Sequence, residues 1–101
     1  MDFKIVWSDA AIADLQEACS YVAQDNPEAA VRLGRGIFDH VRVLASFPFI
    51  GPTYPRGARG TLREIVYRLY RIFYDVSEEF HSVEILHVWH ARRDEPSFPK
   101  P

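Results

Sequence analysis

Cysteine is nearly missing from this 101-residue chain: Cys19 stands alone, so neither an internal disulfide nor a cysteine-rich zinc cage can form. A single thiol fits a reducing compartment. Long apolar runs are missing too, since no stretch reaches the roughly eighteen uncharged residues that a membrane-crossing helix needs. The opening Met1-Asp2-Phe3-Lys4 has none of the basic-then-apolar layout of a secretion signal, so a cytoplasmic protein without membrane contact is expected. Phosphate loops are lacking, because neither Gly34-Arg35-Gly36 nor Gly57-Ala58-Arg59-Gly60 has nucleotide-binding spacing. No serine sits on a glycine-flanked strand-to-helix elbow, which argues against acyl transfer. Of the four histidines, His40, His81, His87 and His90, only the last two are close. Three apart on a strand, they project to opposite faces and cannot chelate one ion. No metal and no cofactor are expected.

An excess of one charge is also absent: twelve Lys and Arg against fourteen Asp and Glu leave a formal charge of −2. The distribution is uneven. Arg56, Arg59, Arg63, Arg68 and Arg71 stand against the lone acid Glu64 in the middle of the chain, while the first half is acidic. That cluster is either a local positive patch or a solvated strand face whose arginines pair with carboxylates.

What the chain does have is the length of one domain and two clear helical stripes. Phe3 to Trp7 reads as a short strand that runs into a helix capped by Ser8. Ile12, Leu15, Cys19 and Val22 recur at steps of three and four, widened by Ala11 and Ala18, with Asp14, Gln16 and Glu17 on other faces. In that stripe Cys19 reads as a small buried hydrophobe rather than a nucleophile. Asn26-Pro27-Glu28 stops one helix and starts the next, because Asn26 can cap and Pro27 fits the first helical position. Ala30, Leu33, Ile37, Val41 and Leu44 repeat the spacing, and so short a connection makes an antiparallel helical hairpin. Gly34 and Gly36 either admit the partner helix closely or mark a frayed stretch.

Phe47-Pro48-Phe49-Ile50-Gly51-Pro52 ends the second helix, and the loop runs to about Gly60. Thr61 to Tyr67 and Tyr70 to Val76 are strand-like, the second placing Tyr70, Ile72, Tyr74 and Val76 on one face and Arg71, Phe73 and Asp75 on the other. Val83 to His90 is apolar on both faces, as suits the centre of a sheet. The order β-α-α-β-β-β makes an α+β domain, a helical hairpin packed on an antiparallel sheet, over residues 1–96. Residues 97–101, Ser-Phe-Pro-Lys-Pro, are expected to be a loose tail.

The residues left for chemistry are Arg63, Arg71, Arg92, Arg93 and His90, if the second strand and the end of the last lie near each other. Guanidinium forks hold phosphate oxygens and His90 could move a proton at neutral pH; alternatively Arg71 pairs with Glu64 and His90 merely closes the strand. Tyr67, Tyr70, Phe73, Tyr74 and Trp89 are read either as sheet packing or as a base-stacking platform.

Four segments in order, the strand leading into Ser8-Asp9-Ala10-Ala11-Ile12-Ala13-Asp14-Leu15, Leu44-x-x-Phe47-Pro48-x-x-Gly51, Tyr70-Arg71-Ile72-Phe73-Tyr74 and Val88-x-His90-x-Arg92-Arg93-Asp94, resemble toxins of the RelE/ParE superfamily. The resemblance spans nearly the whole chain and implies a cognate antitoxin with which the toxin forms a hetero-oligomer. It makes the helix faces with Leu33 and Ile37, and the loop at Phe49 and Ile50, candidate antitoxin contacts. RelE-like members cut messenger RNA on the ribosome, for which Arg71, His90, Arg92 and Arg93 would be the catalytic candidates. Here the strand with Arg63 carries no lysine, and Phe98 stands where a terminal tyrosine would be expected, so His90 would have to substitute. The ending His90-Ala91-Arg92-Arg93-Asp94 looks closer to ParE-like members, which bind DNA gyrase and trap its cleaved complex with DNA; Arg63, Arg71, Arg92 and Arg93 would then be target- or phosphate-binding. A third expectation is an inactive toxin that retains antitoxin binding.

Overall fold

The computed structural model describes residues 2–54 and 62–93. The capping signals act where the sequence places them. Ser8 is extended and its hydroxyl accepts the Ala11 N–H at 3.0 Å, starting α1 (Asp9–Ala23). The Asn26 side chain accepts the Ala29 N–H at 3.1 Å and Pro27 opens α2 (Pro27–Arg42), which a 3-10 turn at Val43–Ala45 extends. The strands are β1 (Lys4–Trp7), β2 (Leu62–Tyr67), β3 (Tyr70–Ser77) and β4 (Ser82–His90). The loose tail and the boundary at residue 96 lie outside the described residues.

The sheet order is β1-β4-β3-β2, with β2, β3 and β4 an antiparallel meander as expected. The first strand departs from that expectation, because β1 pairs with β4 in parallel. The reason is the path of the chain. The helical hairpin and the long crossing that follows return it to the end where β1 began, so β2 runs with β1. Two tight reversals then give β4 that same direction. The central place of β4 matches its apolar character on both faces.

One face of the sheet carries the core. Ala11, Ile37, Val41 and Leu44 from the helical layer meet Ile72, Tyr74, Val83, Ile85 and Val88, each large apolar side chain contributing roughly 1.5–3 kcal/mol on burial. Phe73 is fully buried on the opposite face, covered by the Tyr54 ring at 5.2 Å. Tyr54 is held there because residues 52–54 run along the outer edge of β2, with Tyr54 N–H on Leu62 O at 2.7 Å and Glu64 N–H on Pro52 O at 3.2 Å. The α1 stripe is rotated from its expected position. Ala11 is buried and Leu15 packs on the core, but Ile12 is exposed and Asp14 turns toward the sheet.

The glycines of α2 are sites of close approach. A Cβ on Gly34 would lie 3.3 Å from Cys19 Sγ, and one on Gly36 only 1.9 Å from the Tyr67 hydroxyl. Gly51 is tighter in kind, since its Cβ would sit 2.6 Å from both the Glu64 carbonyl oxygen and Tyr74 Oη. Backbone cannot swing aside as a side chain can. Gly51→Ala is therefore expected to cost about 1–3 kcal/mol by overpacking. Gly34→Ala, which gains about 1 kcal/mol of helix propensity against one thiol contact, should stay within about 1 kcal/mol of the parent. Urea midpoints of the two variants check the contrast. Tyr74 supplies a second test, because burial, the larger effect, holds its hydroxyl pKa above the ordinary 10.0 despite the Gly51 N–H donated to it at 2.9 Å. The unfolded chain ionises first, so the stability contributed is present below about pH 10 and lost as pH rises through the raised folded value. Urea midpoints should fall steeply above about pH 10, and less steeply in Tyr74→Phe.

Candidate functional site

Alternation along the strands sorts the candidate residues. In β3 and β4, Arg71 stands opposite Trp89 and Tyr70 opposite His90, so the two pairs project to opposite faces. Ile72, Tyr74 and Val88 mark the face that meets the helices; Arg71, Phe73, His87 and Trp89 occupy the other, outer face. Arg71 there is bound by Glu64 through two of its three guanidinium nitrogens, Nε to Oε2 and Nη2 to Oε1 at 3.3 Å, and its guanidinium lies 4.9 Å from the Phe73 ring centre. Hydrogen bonding to Glu64 is the first cause that raises the Arg71 pKa. Of the two readings of Arg71, the structure takes the ion pair. Both side chains are largely withdrawn from solvent, at 23% and 19% exposure, so another anion would have to displace Glu64 to be held bidentately. Arg93 follows the end of β4, its guanidinium 3.8 Å from the Trp89 ring centre, and Arg92 is exposed.

The other two members of the expected cluster are elsewhere. His90 is on the helix face, edge-on to Tyr70 at 5.3 Å, and its Nδ1 accepts the Arg92 N–H at 3.1 Å. With Tyr21, Tyr70, Glu17 and Arg93 it lines a hollow of about 490 Å³ between α1 and the ends of β3 and β4. Arg63 stands opposite Tyr74, also on the helix face, near the other end of the sheet. It clamps the loop, with Nη1 on Gly51 O at 2.6 Å and Phe49 O at 3.2 Å. The expected gathering of Arg63, Arg71, Arg92, Arg93 and His90 is thus corrected: Arg71 lies on the outer face, Arg63 holds the loop, and Arg93, stacked on Trp89, also lines the hollow beside His90. The pleat separates His90 from Arg71, and the loop carbonyls engage Arg63.

Among the apolar candidates, Phe49 and Ile50 are 46% and 60% exposed, and Leu33 packs partly against the core. Ile37 is fully buried and has no surface to offer a partner, because it points from α2 straight onto the sheet. Phe98 lies outside the described residues. Among the described residues, no three His, Cys, Asp or Glu side chains are grouped to hold a metal ion, and no helix is long and apolar enough to cross a membrane.

Sequence reasoning missed Asp14 and His87. One carboxylate oxygen of Asp14 meets His87 Nδ1 at 2.8 Å and accepts the Val88 N–H at 3.1 Å. The available signal was length: the first strand is too short to pair with all of the last, so something on the following helix has to serve the uncovered edge.

The family model described as ParE toxin of type II toxin-antitoxin system, parDE, matches residues 5–95. The Y4kP protein of Sinorhizobium fredii, whose name marks it as a candidate toxin, is 35% identical over 95 residues, covering 92% of this chain and 93% of that protein. Among solved structures, a chromosomal ParDE system from P. aeruginosa superposes with a TM-score of 0.73 at 20% identity, over 89% of this chain and 97% of the other. The RelBE2 toxin–antitoxin complex of Mycobacterium tuberculosis gives 0.59 at 21% identity, over 89% and 99%. The last two show a shared fold.

Asp14→Ala should cost about 1–3 kcal/mol, the penalty of leaving a part-buried N–H unpaired. Asp14→Asn, which keeps an acceptor for the Val88 N–H, should lose less. Urea unfolding of both variants, with amide exchange at Val88 as the local readout, tests that order.

Proposed function

The chain belongs to the ParE toxin family of type II toxin–antitoxin systems, and we propose on that premise that it binds DNA gyrase and is silenced by a cognate antitoxin in a hetero-oligomer, in the cytoplasm. The observation that carries the gyrase reading is the separation of the would-be catalytic pair. His90 and Arg71 project from opposite faces of the sheet, and Arg71 is already engaged by Glu64. A general acid or base has to reach the proton it moves within hydrogen-bond distance, and a phosphate clamp has to present its fork. Neither condition is met by Arg71 with His90. An inhibitor that acts by occupying its target needs surface instead, which the exposed Arg92 and the Arg93–Trp89 stack offer. Phe98, in place of a hydroxyl-bearing tyrosine, supports the same reading.

The outer face supports a second reading. Arg71, Trp89 and His87 lie on it together, with Arg93 stacked on Trp89, a basic and aromatic surface of the kind that holds single-stranded RNA, and on this reading the chain is a ribosome-dependent endoribonuclease. Induction of the toxin without antitoxin, followed by assays of gyrase supercoiling and of cellular messenger RNA, separates the two. Blocked supercoiling with DNA breaks and intact messages is expected. His90→Ala should leave that inhibition nearly unchanged, whereas loss of an acid–base catalyst would lower cleavage by about 10²–10⁴-fold. Cut messages with normal supercoiling would reverse the assignment. Undisturbed growth in every host would leave an inactive toxin that keeps only its antitoxin.

A further inference from the structure

The face that α1 turns toward the ends of β3 and β4 is not a packed apolar seam. Asp14, Glu17, Tyr21 and Gln24 recur there at steps of three and four, so one helical stripe of polar and aromatic side chains overlooks the strand ends. The hollow of about 490 Å³ stays open between them, within the roughly 300–1,000 Å³ of small-molecule sites. Three rings border it. Tyr70 and His90 stand edge-on to each other at 5.3 Å on the sheet side, and Tyr21, 72% exposed, lines it from α1. A tyrosine that bare has most of its ring left to cover.

The polar groups of the hollow divide by sign. On the α1 side, Asp14 is used by His87 and by the Val88 N–H, which leaves the exposed Glu17 as the carboxylate without a partner among the described residues. On the strand side, Arg93 stacks on Trp89 and meets no carboxylate among the described residues, so the donor edge of its guanidinium stays available. His90 adds a neutral donor: its Nδ1 accepts the Arg92 N–H, which in the uncharged ring puts the proton on Nε2.

A ligand suited to this set has a flat aromatic body for the rings, an edge of hydrogen-bond donors for a carboxylate and a negative group for a guanidinium. A lysine or arginine side chain is repelled by Arg93, and a bare phosphate makes no use of the rings. A guanine nucleotide meets all three conditions. Its N1–H and 2-amino group are adjacent donors that one carboxylate accepts together, whereas adenine turns the N1 lone pair toward the same oxygens. We propose that the hollow between α1 and the ends of β3 and β4 binds a guanine nucleotide, with the base against Tyr21 and Tyr70, its donor edge on Glu17 and its phosphate on Arg93. The nucleotide is either free or one unpaired residue of a strand. The inference goes beyond the gyrase reading, which uses Arg93 alone of these residues.

The test is titration calorimetry of the purified toxin with 5′-GMP, 5′-AMP, guanosine, and a short thymidine strand with and without one guanine. GMP should bind about tenfold more tightly than AMP, because the wrong base sets a lone pair against the carboxylate. Tyr21→Ala should weaken GMP about tenfold through lost stacking. Glu17→Gln, whose amide can serve either base, should bring GMP and AMP within about threefold of each other. Arg93→Ala should weaken GMP about fivefold and leave guanosine within about twofold, since only the phosphate is lost. Glu17, Tyr21 and Arg93 are exposed, so the variants should keep the parent's circular dichroism, and the comparison of GMP with AMP needs no variant. A guanine-bearing strand that binds more tightly than GMP identifies the ligand as an unpaired base of a nucleic acid. GMP that binds when the guanine adds nothing to the strand identifies it as the free nucleotide. Equal affinity of the parent for GMP and AMP would overturn the proposal, as would the absence of binding by both GMP and the guanine-bearing strand. Binding of GMP unaltered by Tyr21→Ala and Glu17→Gln would place the nucleotide elsewhere and overturn it too.

Discussion

A strand in the middle of a sheet has two rows of backbone groups to satisfy, and in this protein the central strand outgrows its neighbour. β1 pairs with β4 only from Ser82 to Ile85, leaving the second half of β4 open on that side. Helix α1 completes the edge. The Ser8 N–H bonds Ile85 O at 3.0 Å, its hydroxyl bonds Leu86 O at 3.1 Å, and Asp14 takes the Val88 N–H. A buried unpaired N–H or carbonyl costs about 1–3 kcal/mol, so these three contacts decide where α1 lies. Its inward face follows from that. The helix presents Ala11 and Asp14 rather than the more apolar Ile12, and α2 settles beside it through the glycine at position 34.

The same strand determines what the two faces of the sheet can do. β4 carries an irregularity in its pairing with β3, where Phe73 faces His87 and Tyr74 faces Ile85, so Leu86 is an extra residue. The bulge shifts the phase of everything after it. Ile85 and Val88 both reach the core although they are three apart, while His87 and Trp89 turn outward beside Arg71. Outward-facing and packing residues are thereby sorted in a way that period-two counting along β4 does not give. Asp14, reaching round the edge, orients the His87 ring on the outer face.

On the far side of the sheet the chain covers part of its own edge. Residues 52–54 lie along β2 and bring Tyr54 over Phe73, while Arg63 and Tyr74 hold the loop at Gly51 from the helix face. One loop therefore joins the core, the outer face and the free end of β2, which is why a single methyl at Gly51 is costly there. Arg63, an attractive phosphate ligand by residue type, is drawn into that clamp. Its commitment, together with that of Arg71 to Glu64, converts an apparent basic cluster into two structural contacts and leaves Arg92 and Arg93 as the outlying cations.

Local chemistry was legible from the order of residues. The caps at Ser8 and Asn26, the start at Pro27, the element order, the central character of β4 and the family itself all depend on short segments whose physics is complete within a few positions. The placement of Arg71 against Glu64 was open in the sequence as one of two readings, since two residues seven apart meet only if a hairpin joins them. Tertiary structure alone decided the rest. The parallel pairing of β1, the bulge that phases β4, the recruitment of Asp14 to an edge seventy-four residues away and the separation of His90 from Arg71 all arise from how one strand's backbone is shared among distant neighbours. No local window of sequence contains both sides of such a bond, so the identity of the residues was readable and their company was not.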